Sequence, residues 1–141
     1  MSRNHFAEQQ ALFDALKAAS ICDGRIWDEA PQKEEKTDAD NIFPYVLIGE
    51  MVSSTEDMEG YNGSISFIDL EIWTRAAGKK QGKEIGAAIH DAIHAKVLSV
   101  NGMAYALFEI DQERTFREAD GISRRLVQTI RIESYGVETE T

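Results

Sequence analysis

The residues whose spacing most resembles a chemical site are His90-Asp91-Ala92-Ile93-His94. Two histidines at i and i+4 on a helix share a side and can share a zinc ion, and an acid after the first stands where a general base would stand. Three features argue against that chemistry. Asp91 is one methylene shorter than the glutamate usual at that place. A third protein ligand is needed, and the other histidine, His5, falls on a different predicted helix. The helical phase also sets His94 opposite an Ile85/Ile89/Ile93 stripe, with His90 at its edge. The reading is two solvated histidines and no metal site, with a small metal-dependent enzyme using His90/His94 as the alternative.

Cys22 is the single cysteine. It could be a nucleophile beside a histidine base, but no activating arrangement surrounds it, and it reads as a small, half-buried apolar residue. Glu34, Glu35, Asp38, Asp40, Glu56, Asp57 and Glu59 show neither calcium-loop spacing nor an acid–base pair. No glycine pattern for phosphate occurs, since Gly82 and Gly86 lie inside a predicted helix. No catalytic residue, cofactor or metal is therefore expected. Arg114, Arg117, Arg124, Arg125 and Arg131 gather around the last predicted hairpin. They suit cross-strand pairing with Glu109, Asp111, Glu113 and Glu133, or a positive edge that meets acidic loops on another subunit or partner.

The elements that would position these residues follow from hydrophobic periodicity. A helix is expected from about Asn4 to Ala19, with Phe6, Leu12, Phe13, Leu16 and Ala19 on one side, closed by Asp23-Gly24. Arg25-Ile26-Trp27 is a short extended piece. Pro44 to Val52 reads as a strand entered by proline. Ser64 to Arg75 is the cleanest strand. Ile68, Leu70 and Ile72 face one way, and Ile65, Phe67, Asp69, Glu71 and Trp73 the other, a face partly wet and partly covered, as by a neighbouring subunit. A helix from about Gln81 to Leu98 carries a stripe of Ile85, Ala88, Ile89, Ala92, Ile93 and Val97. Gly82 and Gly86 weaken its first turns by about 1 kcal/mol each relative to alanine, and imply close approach to the sheet. Met103 to Phe116 and Ile122 to Tyr135 are the last two strands, joined at Asp120-Gly121. Residues 33–41 and 53–63 read as mobile loops, and 136–141 as a frayed tail. The result is a single α+β domain over 1–141. Its sheet, mostly antiparallel or mixed, has about four to five strands, with two helices packed on one face.

The 141 residues suffice for a real core, burying about 68–70% of the unfolded surface. A hydrophobic fraction of 43% and a charged fraction of 28% are ordinary for a globular protein. The formal charge of −10 opposes general nucleic-acid binding. No stretch approaches ~18 consecutive apolar residues, so no membrane partner is expected. With one cysteine and no apolar run after Met1, the cytoplasm is the expected compartment.

Taken in order, certain blocks are familiar: Arg25-Ile26-Trp27-Asp28, Ala30-Pro31-Gln32, Phe43-Pro44-Tyr45-Val46-Leu47-Ile48-Gly49, Asp69 through Ile72-Trp73-Thr74-Arg75, Gly78, and the helix from Glu84-Ile85 to Ala92. From about Phe6 to Tyr135 the chain resembles the tail-completion, or tail-terminator, family of long-tailed phages and prophages. The resemblance implies a non-enzymatic virion protein, assembled in the host cytoplasm. Such a protein caps the head-proximal end of the tail tube as a homo-hexameric ring, stops tube polymerisation and docks the head-side connector or stopper protein. DNA passes through the lumen without sequence-specific binding. On this reading the subunit and partner surfaces are Ile65, Phe67 and Trp73 with Arg114, Arg117, Arg124 and Arg125. The stretch Lys33 to Asn41 departs from the shorter connection of the family. A generic intracellular interaction domain is a further alternative.

Overall fold

The computed structural model describes residues 5–28, 43–55, 61–75, 80–98, 100, 105–118 and 123–137, without the side chains of 5, 6, 61, 62 and 137. The stretch Lys33 to Asn41, Ala30-Pro31-Gln32, Gly78, the Asp120-Gly121 turn and the tail beyond Val137 lie outside the described residues.

The first helix, α1, spans His5–Ala18. Its buried side is Ala7, Glu8, Leu12 and Leu16, whereas Ala19 just beyond it is exposed. Glu8 was not expected inside. It is fully buried, and its Oε1 accepts a hydrogen bond of 3.1 Å from Ser134 Oγ. The Ser134 and Ser64 hydroxyls are 2.9 Å apart, which extends a polar chain under the helix. After α1 the backbone turns through Ser20, Cys22, Asp23 and Gly24, all with positive φ. Gly24, at φ 84°, adopts this without Cβ strain.

Strand β1 (Ile26–Trp27) pairs parallel with β2 (Tyr45–Thr55). β2 pairs antiparallel with β3 (Tyr61–Thr74), through a bulge between Ile48 and Met51. Gly49 sits there because a Cβ would lie 3.1 Å from the Asp69 carbonyl oxygen. Both strands extend further than expected, so Ser53–Thr55 belong to the β2–β3 ladder and Tyr61–Gly63 to the β3–β6 ladder rather than to a loop. The second helix, α2, spans Lys80–Ile93. Strands β4 (Lys96–Val97), β5 (Tyr105–Arg117) and β6 (Arg124–Val137) complete the sheet.

The fold is α+β, as expected, but the sheet has six strands rather than four to five. Their order is β1-β2-β3-β6-β5-β4, curled as a half-barrel. The additional strand is β4, which the helical reading had absorbed. Ala95 takes φ 57°, a conformation a right-handed helix cannot continue through. Lys96 and Val97 then pair with Phe108 and Leu107. Val97, counted in the helical stripe, is 56% exposed.

Both helices cover one face of the sheet. Ile68, Leu70 and Ile72 on β3 and Leu126, Ile130 and Ile132 on β6 form the floor of the core. Leu12 and Leu16 from α1 and Ile89 and Ile93 from α2 pack onto it. Each such side chain contributes about 1.5–3 kcal/mol when fully buried. The two helical glycines do face the sheet. A Cβ on Gly82 would meet Leu126 at 3.8 Å, and one on Gly86 would meet Gln128 Nε2 at 3.0 Å and Glu113 Oε2 at 3.3 Å. Buried Gln128 donates to the Gly86 carbonyl and to Glu113 Oε2, both at 3.0 Å.

Candidate assembly surface

The helix-free face of the sheet is set by strand alternation. Because Ile68, Leu70 and Ile72 point inward, Ile65, Phe67, Asp69, Glu71 and Trp73 point outward. At one end of this face, aromatic rings and guanidinium groups form a band across several strands. Trp27 lies 5.2 Å from Tyr45, and Tyr45 stacks on Trp73 at 6.2 Å with 12° between planes. The Arg125 guanidinium lies 5.6 Å from the Trp73 ring and 4.7 Å from Phe116. Arg75 covers Phe43 at 4.8 Å, and Phe43 lies 5.1 Å from Tyr45. Trp73 Nε1 donates to Glu71 Oε1 at 3.1 Å. Arg125 lies 3.6 Å from the same carboxylate and 3.0 Å from Glu118. Burial pushes the Tyr45 phenol above its ordinary pKa, and the Glu71 charge adds to this.

The other end of the face is more ionic. Arg131 holds Glu109 at 3.3 Å and Glu133 at 3.1 Å. Hydrogen bonds from Tyr135, and then from Arg131, hold the Glu133 carboxyl below the usual glutamate range. A cross-strand pair with Glu109 and a same-strand pair with Glu133, two residues along β6, thus account for Arg131. Phe67 sits at this end and is 36% exposed.

A bulge divides the other arginines. The β5–β6 register passes from Ile110↔Ile130 to Gln112↔Thr129, leaving Asp111 as the extra residue. Beyond it the alternation of β5 is inverted. Arg114 and Phe116 therefore share the outward face with Arg125, and Arg114 covers Phe116 at 5.7 Å. Arg117 and Arg124 oppose each other on the reverse face. The structure brings together Ile65, Phe67, Trp73, Arg114 and Arg125 on one face, and sets Arg117 and Arg124 apart from them. Sequence reasoning did not single out Trp27, Phe43 and Tyr45 for this band. Their neighbours come from other strands, and the only local signal was the aromatic residue on each side of Pro44.

The residues that had suggested enzymatic chemistry have structural partners. The His90 and His94 rings stack 4.2 Å apart. His94 is not opposite the sheet, as its helical phase suggested; it is half-buried, and its Nδ1 accepts a 2.9 Å hydrogen bond from the Ile110 N–H. That amide adjoins the β5 bulge. Among the described residues no group of three His, Cys, Asp or Glu side chains is placed to hold a metal ion. Burial pushes the Cys22 thiol up to about 11, so it carries little thiolate at neutral pH. Among the described residues no helix is long and apolar enough to cross a membrane.

No curated protein matches the sequence. A chain from a solved structure described as the virion of a native gene transfer agent (GTA) particle matches with a TM-score of 0.78 at 20% identity, over 94% of this chain and 97% of that one. The two share a fold. The sequence pattern of tail completion protein gp17 matches residues 10–133, most of the chain, and the protein belongs to that family of virion tail components.

Proposed function

We propose that this protein caps the head-proximal end of a phage tail tube as a closed ring, a hexamer, that stops tube polymerisation and docks the head-side connector. The role is structural and non-enzymatic. The observation that carries it is the family match over residues 10–133, together with an outward sheet face that bears Ile65, Phe67, Trp73 and Arg125 clear of both helices. A heterologous contact that closes on itself yields a ring. The net charge of −10 suits a lumen through which DNA slides better than one that grips it. The stacked His90/His94 pair, with Nδ1 of His94 occupied, favours no metal enzyme.

The test is assembly with the cognate tail-tube protein. Tubes polymerised with this protein should be shorter than tubes grown alone, and electron microscopy should show an added ring at one end only. Binding along the tube wall, or tube growth unaffected at saturating protein, would overturn the reading.

A further inference from the structure

Among the described residues the outward edge of β5 is open along most of its length. β4 pairs only with Leu107 and Phe108, and the Ile110 amide is taken by His94. From Asp111 to Arg117 seven consecutive residues are exposed, and among the described residues no strand lies beside them. An exposed edge is a template for pairing, and proteins usually blunt it with charge and bulges. This edge has both, at Asp111, Glu113, Arg114 and Arg117. They exclude indiscriminate partners and select for a surface of matching charge.

The charge such a surface must carry is written in the arginines. Arg117 and Arg124 face each other across the ladder, a like-charge pair that disfavours the isolated hairpin. Neither makes an ion pair among the described residues, and the Arg124 Nε is buried without a hydrogen-bond partner. Among the described residues Arg114 meets the Phe116 ring and no carboxylate. Three arginines without a carboxylate among the described residues are unexpected in a chain with 25 acidic and 15 basic side chains. The opposite side of the same sheet has the complementary character. There, exposed Asp28 follows β1, and β2 carries exposed Glu50 and Val52, the latter 68% exposed.

The geometry points to a head-to-tail contact between copies of this chain, in which the β5 edge with Arg114, Phe116 and Arg117, backed by Arg124 of β6, docks against the β1–β2 side of the next copy with Asp28, Glu50 and Val52. This rests on the ring reading and gives it a specific joint, edge to edge, leaving the middle of the outward face around Phe67 and Trp73 for tube or connector. Because the two surfaces lie at opposite sides of one sheet, each copy offers one and accepts the other, as a closed ring requires. DNA phosphate is the competing ligand for these arginines, and the net charge of −10 argues against it.

The experiment uses full-length protein in a Cys22→Ser background, mixed with tail-tube protein. One preparation carries Val52→Cys and a second Phe116→Cys. Oxidation should yield disulfide-linked dimers only when the two are mixed, because the contact is heterologous. In parallel, Arg114→Glu/Arg117→Glu and Asp28→Arg/Glu50→Arg should each lower the ring fraction at least tenfold, and the fourfold variant should restore it. Matching circular-dichroism melts establish that the variants fold. Rings that form but neither cross-link in the mixture nor respond to charge reversal would overturn the edge assignment while sparing the ring. Wild-type protein that forms no ring on tubes would overturn the ring reading itself. Tight binding of a DNA duplex, abolished by Arg114→Glu/Arg117→Glu, would assign the arginines to phosphate instead.

Discussion

Cys22 illustrates how position decides the chemistry of a side chain. Its thiol is pushed up to about 11 because burial disfavours the thiolate more than nearby Arg25 favours it. A folded pKa above the unfolded one contributes stability below the ordinary thiol range, and that contribution is lost as pH rises toward 11. Alkylation by iodoacetamide should therefore be slow at neutral pH in the native protein. Its pH profile should rise near 11 in the native state and near ~8.5 in urea. Glu133 has the opposite sign. Tyr135 and Arg131 depress its pKa, so its contribution is present above the usual glutamate range and fades as pH falls through the lowered value. Tyr135→Phe should move the Glu133 carboxyl titration, followed by NMR, back toward the ordinary value.

At the scale of elements, α2 and the β5 bulge are each held by one or two contacts that can be tested singly. Gly86→Ala forces a Cβ against Gln128, whose amide is held by two hydrogen bonds. Overpacking costs about 1–3 kcal/mol, and helix propensity returns about 1 kcal/mol, so urea unfolding should show a net loss. Gly82→Ala has room at 3.8 Å and should be neutral or stabilising, by up to about 1 kcal/mol. His94→Ala leaves the Ile110 N–H without its acceptor and should cost about 1–3 kcal/mol. Faster hydrogen exchange at that amide would locate the loss at the bulge. These elements differ in how far the sequence disclosed them. The alternation of Ser64 to Arg75 and the stripe through Ile85, Ile89 and Ile93 are local patterns, and the inward and outward faces of β3 follow from them. β4 was hidden because Val97 keeps helical phase, and only the positive φ of Ala95 breaks it. The bulge at Asp111 left no mark in composition, yet it decides which arginines share a face. The burial of Glu8 depends on Ser134, 126 residues away, and no local pattern carries such information.

At the scale of the whole molecule, stability and assembly should separate. Phe67 is 36% exposed on the helix-free face and adds little to the core. Phe67→Ser should change stability by no more than about 0.5 kcal/mol, and should weaken co-sedimentation with tail tubes by about fivefold or more if this face meets a partner. Equal losses in both measurements would remove Phe67 from the proposed surface. The candidate residues were only partly legible for the same reason. Trp73 and Phe67 declare themselves by apolar character on a wet face, whereas Tyr45, Phe43 and Trp27 join them only through strand pairing.

The order β1-β2-β3-β6-β5-β4 bears on how the chain comes into being. β6, the last strand, stands at the middle of the sheet, paired along its length with β3 on one side and β5 on the other. During synthesis, earlier segments leave the ribosome first. Until Arg124 to Val137 emerges, β3 and β5 have no common neighbour and α1 has no Ser134 to receive Glu8. The core therefore closes in one late step, and the folded shape becomes available for assembly only when the strand at its centre has been made.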